Sequence, residues 1–451
     1  METFDVVVLG GGPAGCACAI SLKRQDPALS VAVIESRGYK DRRIGETLPP
    51  NIGDLLRHLG VWEAFLASEP LAAHGTLSYW GSESLTENDY VFHSQGNGWH
   101  VDRAAFDQML FSAAERAGAC VFPAARAVSH KGIGEGWELT LQQDQPFTDQ
   151  HFTTVGCSIV VDAAGRAAAF SIAEGAHHVE YDKLAGVFLF FESAGEHIDS
   201  RTLVESLEHG WIYSAALPGG AMAAAFLSDT DILRDLSLRS AADWMTLLEH
   251  TPQTRKRLQS ARPVGNPTTR SAASRQLDAA TGAGWIAAGD AASTFDPLSS
   301  QGIFKAIRSG MFASYSVLNT LRGSSAGGPN QYEAFVRDEY EQYLNIRSGF
   351  YAQEQRWPQA PFWRRRHERI TLDPARLIHA PLIAQALPDY FSSLKVTSSE
   401  IKMLRIFCDQ PRPASEIVQE LAAKSARSLT PRRALLAVQE LLDRGLLHPV
   451  S

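Results

Sequence analysis

The sequence predicts a mixed α/β fold, α+β overall, in which a three-layer domain carries an inserted, mostly β region and a helical C-terminal extension. Three observations predict this class. The chain opens with a strand, a glycine turn, a helix and a second strand. Two later segments, 160–166 and 284–292, again run from a hydrophobic strand into a glycine turn. Between them lie short runs of β-branched and aromatic residues, which are typical of antiparallel strands.

The opening unit has the residues of a dinucleotide-binding turn. The strand Phe4–Leu9 ends at Gly10, and Gly12 and Gly15 complete the G-x-G-x-x-G spacing. Gly10 permits the tight turn, Gly12 lets the backbone approach a pyrophosphate, and Gly15 allows the helix to pack against the strand. Glu35 ends the second strand, where it can accept both ribose hydroxyls and disfavours a 2′-phosphate. The unit therefore predicts FAD or NAD rather than NADP.

Length and composition restrict the remaining classes of function. A chain of 451 residues suggests about two or three domains. The net charge of −8 gives no global basic field, which argues against nucleic acid as a partner. The five cysteines lack metal-ligand spacing, so no metal is predicted. The opening strand leaves no room for a leader and no apolar stretch reaches membrane-spanning length, so we expect a soluble cytoplasmic protein without a membrane partner.

The elements between these units alternate between helix and strand. An amphipathic helix is predicted at Ile52–Leu59, one helical segment at Ala241–Leu258, and a helix from Gly302 through Leu321. We therefore expect a discontinuous FAD-binding domain and a β domain that contacts the substrate. The FAD-binding domain is assigned to 1–70, 101–170 and 270–325, and the substrate domain to 71–100 and 171–269.

Four segments in order resemble FAD-dependent aromatic monooxygenases and flavin-dependent halogenases: the glycine turn, the helix start at 101–103, the turn at 162–166, and Gly289-Asp290 with its following helix. The resemblance covers residues 1–350 and implies a Rossmann-like FAD-binding domain that reacts with O₂. It implies that Asp290 binds the ribityl chain and that helix N–H groups stabilise the reduced flavin. The implied cofactor-binding residues are Gly10, Gly12, Pro13, Ala14, Gly15, Glu35, Ser36, Arg43, Thr47, Arg103, Val128, Asp162, Gly165, Asp290, Ser300, Gln301, Gly302 and Ile303.

Three departures from the halogenase pattern argue for hydroxylation. Halogenases of the family carry a lysine after the segment that resembles Gly45-Glu46-Thr47, but no lysine occurs between Lys40 and Lys131. Their Pro-Leu-Glu-Ser motif is Pro-Leu-Ser-Ser here, at 297–300, and their two-tryptophan motif is degraded at 210–218. The resemblance then implies a monooxygenase whose flavin hydroperoxide is attacked by an electron-rich ring.

Glu46 is the candidate catalytic residue, because the family brings its loop to the cofactor. We expect it to handle a proton or polarise the substrate. The alternative is a structural carboxylate that caps the loop or pairs with Arg42 or Arg43.

The electron donor is left open by the sequence. No second G-x-G-x-x-G is present, since Gly282-Ala283-Gly284 precedes a strand rather than following one. Electrons would come from NAD(P)H that binds transiently, or through a separate flavin reductase.

The C-terminal part is predicted to consist of two pieces. Residues 326–395 form a helical extension, in which an aromatic stripe from Tyr332 to Tyr351 packs over the catalytic domains. Within it, 357–369 places tryptophans beside a basic run, and this is either a solvated charged face or a docking surface. Residues 396–451 resemble a winged-helix module of three helices and a closing strand.

The combination resembles the flavin monooxygenases that mature tryptophylquinone cofactors. These hydroxylate a tryptophan in the precursor of a quinohemoprotein amine dehydrogenase or related oxidase, which implies a precursor polypeptide as the partner. Two alternatives stay open: a hydroxylase or halogenase of a small aromatic metabolite, and a non-enzymatic flavin-binding regulator with a winged helix.

Overall fold

The chain forms two compact units. In the computed structural model, the larger unit comprises 1–176, 183–274 and 280–366, and the smaller comprises 177–182, 275–279 and 367–451. The residues that the structure describes are 1–90, 95–143, 151–193, 199–323, 328–367, 377–379, 403–404, 407–408, 412–425, 431–443 and 447–449. Their helices and strands confirm the predicted mixed α/β class.

The elements of the described residues follow in chain order. The strands are β1 (Glu2–Leu9), β2 (Val31–Glu35), β3 (Thr47–Leu48), β4 (Leu71–Ala73), β5 (Gly75–Tyr79), β6 (Thr86–Asp89), β7 (Gly98–His100), β8 (Cys120–Pro123), β9 (Ala125–Ile133), β10 (Gly136–Gln143), β11 (His151–Asp162), β12 (His178–Glu180), β13 (Leu184–Ser193), β14 (Thr202–Leu207), β15 (Gly210–Ala216), β16 (Ala221–Asp229), β17 (Ala261–Ser271), β18 (Arg275–Leu277), β19 (Thr281–Gly282), β20 (Trp285–Ala287), β21 (Ser293–Thr294), β22 (Leu377–His379), β23 (Arg412–Pro413) and β24 (His448–Pro449). The helices are α1 (Pro13–Gln25), α2 (Ile52–His58), α3 (Trp62–Ala67), α4 (Arg103–Arg116), α5 (Ala169–Ala173), α6 (Thr230–Leu236), α7 (Ala241–Leu248), α8 (Pro252–Leu258), α9 (Gly302–Leu321), α10 (Pro329–Gln353), α11 (Pro361–His367), α12 (Ala414–Lys424) and α13 (Pro431–Asp443).

A mostly parallel sheet positions the site. Its order is β19-β20-β11-β1-β2-β8, and β10 and β9 extend it antiparallel from β11. In the parallel registers, Leu9 lies opposite Asp162 and Ile34, and Asp162 lies opposite Ala287. Because the carboxyl ends of parallel strands meet at one edge of a sheet, the three glycine-bearing turns that follow these strands are brought together.

Helices α1 and α9 approach each other closely because both carry small residues. A Cβ on Gly310 of α9 would lie 2.1 Å from the Ala14 carbonyl oxygen of α1. Gly310 therefore allows α9 to pack directly against the backbone of α1.

A seven-stranded sheet forms the predicted β region, in the order β17-β13-β16-β15-β14-β5-β6. One face packs on α6, α7 and α8 through a core that includes Phe191, Phe226 and Trp244. The segment predicted as one helix, Ala241–Leu258, is in fact two, α7 and α8. Pro252 begins α8 because it has no N–H to continue a helix from the preceding turn.

The 71–100 segment divides between two sheets. Strands β5 and β6 join the seven-stranded sheet, whereas β4 and β7 pair with β3 in a sheet of their own. The sequence analysis assigned the whole of 71–100 to the substrate domain, and only its 75–89 part lies in that sheet.

The helical extension packs on the other face of the seven-stranded sheet. Trp363 and Phe362 of α11 are 0% exposed and share a core with Trp211 and Tyr351. Arg366 pairs with the buried Asp229 at 2.8 Å. These residues are therefore core and not the docking surface or the solvated charged face considered from the sequence.

The aromatic stripe of α10 is buried at four of its positions, Tyr332, Tyr340, Tyr343 and Tyr351. Phe350, in contrast, is 44% exposed. The predicted packing of this helix is therefore confirmed for the tyrosines, and one aromatic residue is left at the surface.

The smaller unit has its own hydrophobic core. Helices α12 and α13 pack through Ile417, Leu421 and Val438, and the sheet order is β23-β22-β24. In the same unit β12 pairs antiparallel with β18. Of the predicted module 396–451, segments 396–402, 405–406, 409–411, 426–430, 444–446 and 450–451 lie outside the described residues. None of the described helices combines the length and the apolar character that spanning a bilayer requires.

Truncation of Trp363 should destabilise the larger unit. Its side chain fills a buried core and its Nε1 donates to the Leu207 carbonyl at 2.8 Å. We expect Trp363→Ala to cost about 3–5 kcal/mol of unfolding free energy, measured by urea denaturation. The control, Phe350→Ala at an exposed position, should cost less than about 1 kcal/mol. Equal effects of the two variants would contradict the burial of α11.

Candidate functional site

The opening glycine turn packs tightly against the protein on one side and is accessible to a ligand on the other. Gly10 has φ +118°, and a Cβ there would lie 2.2 Å from the Ala163 carbonyl oxygen. A Cβ on Gly15 would lie 1.9 Å from the Gly10 carbonyl oxygen. A Cβ on Gly12, in contrast, would meet no atom of the described residues within 4 Å. The first turn of α1 begins at Pro13, and its free N–H groups are available to an anion on this open side.

Glu35 is held at the end of β2 by backbone donors. Its Oε2 accepts from the Gly11 N–H at 2.8 Å and its Oε1 from the Arg37 N–H at 2.8 Å. The Tyr39 hydroxyl donates to the Gly11 carbonyl at 2.8 Å. A carboxylate accepts more than one hydrogen bond per oxygen, so Glu35 keeps lone pairs for a ribose diol.

Asp107 anchors two of the predicted arginines. Its buried carboxylate accepts from Arg43 at 2.7 Å and from Arg103 Nε at 3.1 Å. Arg103 also donates to the carbonyls of Ile44 and Gly45, at 3.0 and 3.1 Å. The sequence analysis missed Asp107, although its i,i+4 spacing from Arg103 was a usable signal. The cluster fixes the loop that carries Glu46.

Asp162 serves the backbone of its own turn. The buried carboxylate accepts from the Ala164 N–H at 3.1 Å, and from the Ser171 N–H and Oγ at 2.9 and 2.8 Å. Gly165 follows with φ +75°, where a Cβ would meet nothing within 4 Å. Asp162 thus stabilises the turn through hydrogen bonds to its backbone. At Gly165 the backbone is accessible to a ligand.

Asp290 is the most exposed acid at this edge and lies between two cations. Its Oδ1 is 2.8 Å from Lys305 Nζ and its Oδ2 is 3.5 Å from Arg166 Nε. Burial would raise the pKa of Asp290, but the charges of Lys305 and Arg166 outweigh burial and hold that pKa below its ordinary value. Asp290 is therefore an ionised acceptor. Within the described part of the chain, the buried Nη1 of Arg166 has no hydrogen-bond partner.

The turn before α9 is fixed by a buried carboxylate. Asp296 accepts from the Leu298 N–H at 2.9 Å, from Arg347 Nε at 3.0 Å and from the Tyr351 hydroxyl at 2.7 Å. Ser300 then adopts φ +49°, and Gln301 caps the helix. Gly302 begins α9, and a Cβ there would meet nothing within 4 Å. Ser300, Gln301 and Gly302 of the predicted segment are therefore exposed beside the start of a long helix, whereas Ile303 is buried.

A small cleft lies between this turn and α10. Leu298 and Gln301 line one side, and Ile346, Arg347 and Phe350 line the other. The cleft combines an apolar wall with one guanidinium group.

Glu46 is buried against a tyrosine. Its Oε2 accepts from the Gly45 N–H at 3.0 Å, and the Tyr213 hydroxyl donates to its side chain. Burial raises the pKa of Glu46 above its ordinary value, against the hydrogen bonds and the charge of Arg103. Arg43 pairs with Asp107 instead, and Arg42 lies over the Phe190 ring at 5.0 Å. The sequence analysis missed the partner Tyr213.

The remaining predicted residues lie around these clusters. Thr47 Oγ1 is 3.2 Å from His100 Nδ1, and burial lowers the pKa of His100 to about 4, so this imidazole is neutral at pH 7. Ser36 is exposed beside Glu35, and Val128 lies on β9 with 42% of its surface exposed. The described residues contain no group of three or more side chains that could hold a metal ion.

The residues fit the FAD predicted from the sequence. Two glycines, Gly12 and Gly302, leave open space where a cofactor would approach the backbone of α1 and α9. Nη1 of Arg166, which has no partner among the described residues, is suited to a phosphate or hydroxyl oxygen, and Asp290 offers an acceptor next to it. Together they provide donors and acceptors along one edge of the parallel sheet.

Comparisons with known proteins give a consistent result. The tryptophan halogenase family model matches residues 5–116 and 83–380. A putative FAD-dependent oxidoreductase, LodB of Marinomonas mediterranea, is 30% identical over 382 residues, which is 83% of this chain and 100% of the relative. A brominase of Pseudoalteromonas luteoviolacea that acts on 1H-pyrrole-2-carbonyl-[peptidyl-carrier protein] is 25% identical and matches 72% of this chain and 79% of its own.

Two solved structures are similar in fold. The myxobacterial chondrochloren halogenase CndH has a TM-score of 0.75 at 21% identity and covers 82% of this chain and 87% of its own. The peptidyl tryptophan dihydroxylase QhpG, essential for tryptophylquinone cofactor biogenesis, has a TM-score of 0.61 at 21% identity and covers 99% of this chain and 100% of its own.

A matched pair of glycine variants tests the site. Gly12→Ala should fold normally, because its Cβ enters open space, but it should weaken FAD binding at least about tenfold by blocking the approach to α1. Gly15→Ala should lower the Tm of the apoprotein, because its Cβ would overlap the Gly10 carbonyl. Thermal melts and FAD titration distinguish the two effects. Full FAD affinity in Gly12→Ala would exclude this turn as the site.

Proposed function

The chain belongs to the tryptophan halogenase family and is an FAD-dependent oxidoreductase, and from this premise we propose that it is a monooxygenase. Its substrate in this proposal is a tryptophan side chain in a precursor polypeptide, hydroxylated during quinone cofactor biogenesis. One oxygen atom of O₂ enters the ring, the other leaves as water, and NAD(P)H supplies two electrons directly or through a flavin reductase.

The observation that carries the proposal is the contact between Glu46 and Tyr213. A buried carboxyl with a raised pKa faces the hydroxyl of the half-buried Tyr213, on the strand where halogenases of the family carry their second tryptophan. Burial raises the pKa of Tyr213, so its hydroxyl stays protonated and donates to Glu46. The pair provides a proton acceptor rather than a cation, and no lysine occurs between Lys40 and Lys131 to hold an activated halogen.

The surroundings of this pair suit an aromatic ring. Tyr213 is half-buried beside Ile44 and Leu298, at the border of the core that Trp211 fills together with Tyr351 and Trp363. An indole held next to Tyr213, Ile44 and Leu298 would be screened from water by their apolar surfaces. Bound FAD would supply the activated oxygen. Glu46 would accept the indole N–H as a hydrogen bond and take the proton that the ring releases.

Two similar proteins support a protein-bound substrate. QhpG is described as a peptidyl tryptophan dihydroxylase and aligns with 99% of this chain. The related brominase acts on a ring attached to a peptidyl-carrier protein. The smaller unit provides a separately folded core that could hold such a chain, in keeping with the winged-helix module expected from the sequence.

Halogenation is the second candidate, because the family model and several relatives are halogenases. The two chemistries differ in the mass that the substrate gains. The test incubates the holoprotein with NAD(P)H, a flavin reductase, O₂ and bromide, and offers tryptophan-bearing precursor peptides or free tryptophan. We expect mass spectrometry to show oxygen added to the peptide. Bromine in the product would establish halogenation, and turnover of free tryptophan alone would exclude the polypeptide substrate.

Glu46→Gln should lower kcat at least about 100-fold, because the amide cannot take a proton. FAD affinity should stay unchanged. Burial raises the pKa of Glu46, so the carboxylate is ionised only above that raised value, and wild-type kcat should fall as the pH drops through it. The pH dependence of kcat, measured by peptide oxygenation, should lose this acid limb in the variant.

Glu63→Gln is the matched control, since Glu63 is an exposed residue of α3. It should keep the wild-type kcat and the wild-type acid limb. A Glu46→Gln enzyme with full activity would assign Glu46 to loop structure alone.

A further inference from the structure

Lys305 is a cation buried in the first turns of α9. The residue is 1% exposed, and its Nζ lies 2.8 Å from Asp290 Oδ1. The same Nζ donates to the Ser293 carbonyl and lies 5.1 Å from the centre of the Phe295 ring. These two hydrogen bonds and the ring contact all go to the segment between β20 and α9.

Burying the Lys305 ammonium group at this location costs free energy. An ammonium group loses its hydration when it is buried, and the N-terminal end of a helix disfavours a positive charge. An apolar residue would pack in the same space without either cost. Asp290, the Ser293 carbonyl, the Phe295 ring and the charge of Glu339 together offset these costs.

Asp290 differs from Lys305 because it is open to the site. Its side chain is 35% exposed, whereas that of Lys305 is 2% exposed. Lys305 holds Oδ1 from the protein side, and Oδ2 lies toward Arg166 at 3.5 Å. One carboxylate oxygen is therefore anchored, and the carboxylate remains accessible to a ligand.

The backbone that carries Asp290 is fixed against the opening turn. Gly289 has φ +65°, and a Cβ there would lie 2.6 Å from the Ala14 Cβ of α1. The Gly289 N–H donates to Ser309 Oγ of α9 at 3.0 Å. The backbone next to Asp290 is therefore held on both sides, and Lys305 contacts one oxygen of the Asp290 side chain.

We propose that Lys305 is a positioning residue for the flavin half of FAD. It holds the Asp290 carboxylate in the orientation in which its accessible oxygen accepts hydrogen bonds from the ribityl hydroxyls. This inference rests on the proposed FAD site and extends it to a residue that would not itself touch the cofactor. The adenosine half would be bound independently, by the glycine turn and Glu35.

The test compares two ligands that share the adenosine half. FAD contains the ribityl chain and ADP does not. Lys305→Met keeps a similar length and removes the charge. We expect it to weaken FAD binding at least about tenfold and to leave ADP binding within about twofold of wild type, both measured by calorimetry on the apoprotein. Arg308→Met, at a half-exposed position one turn later, is the matched control and should change neither affinity.

Lys305→Met leaves Asp290 without its partner, and this could impair folding. A double-mutant cycle therefore provides a second test. Asp290→Ala/Lys305→Met removes both charges and should bind FAD as weakly as Asp290→Ala alone, because Lys305 acts only through Asp290. A further loss in the double variant would overturn the proposed role. Equal losses of FAD and ADP affinity in Lys305→Met would overturn it as well, since they indicate general damage to the fold.

The same measurements distinguish a failure of the proposed FAD site from a failure of the proposed role of Lys305. A wild-type protein that binds ADP but no FAD would overturn the FAD site itself. Wild-type FAD binding that Lys305→Met leaves unchanged would overturn only the role of Lys305.

Discussion

The parallel pairing of β1 with β11, and of β11 with β20, is the constraint on which the rest of the site depends. The register aligns Leu9, Asp162 and Ala287 side by side. Three turns from distant parts of the chain therefore leave the sheet at the same edge. Each turn uses a glycine with positive φ, at Gly10, Gly165 or Gly289, so that its backbone can bend sharply there. Without this alignment the acids and arginines of the site would not meet.

Charge is arranged around two acids at this edge. Asp107 is enclosed and binds Arg43 and Arg103, so its role is to hold the loop that carries Glu46. Asp290 also faces two cations but remains accessible. Both residues are aspartates that lie beside two cations. They differ in solvent exposure, and the exposed carboxylate can bind a ligand whereas the enclosed one has a structural role.

Local sequence patterns predict much of this architecture. The strand that ends at Gly10, the helix from Gly302 to Leu321 and the acid at the end of β2 are all encoded within short segments, by β-branched runs and glycine spacing. The resemblance to flavin enzymes also pointed to Asp290. The partners Lys305 and Tyr213 were not found, because their contacts join residues that are 15 and 167 positions away from Asp290 and Glu46. The burial of Phe362 and Trp363 was missed for the same reason, since their partner Trp211 lies about 150 positions earlier in the chain. The basic run that follows them likewise gives no sign that Arg366 pairs with Asp229.

The contacts of Asp296 have a consequence for how this protein can change during evolution. The turn next to the expected flavin ring is braced by Arg347 and Tyr351 from the helical extension, which lie about fifty residues further along the chain. Helix α10 is therefore part of the support of this turn. A lineage that replaced or shortened α10 would have to rebuild the support for Asp296 at the same step, so the two segments are expected to be inherited together.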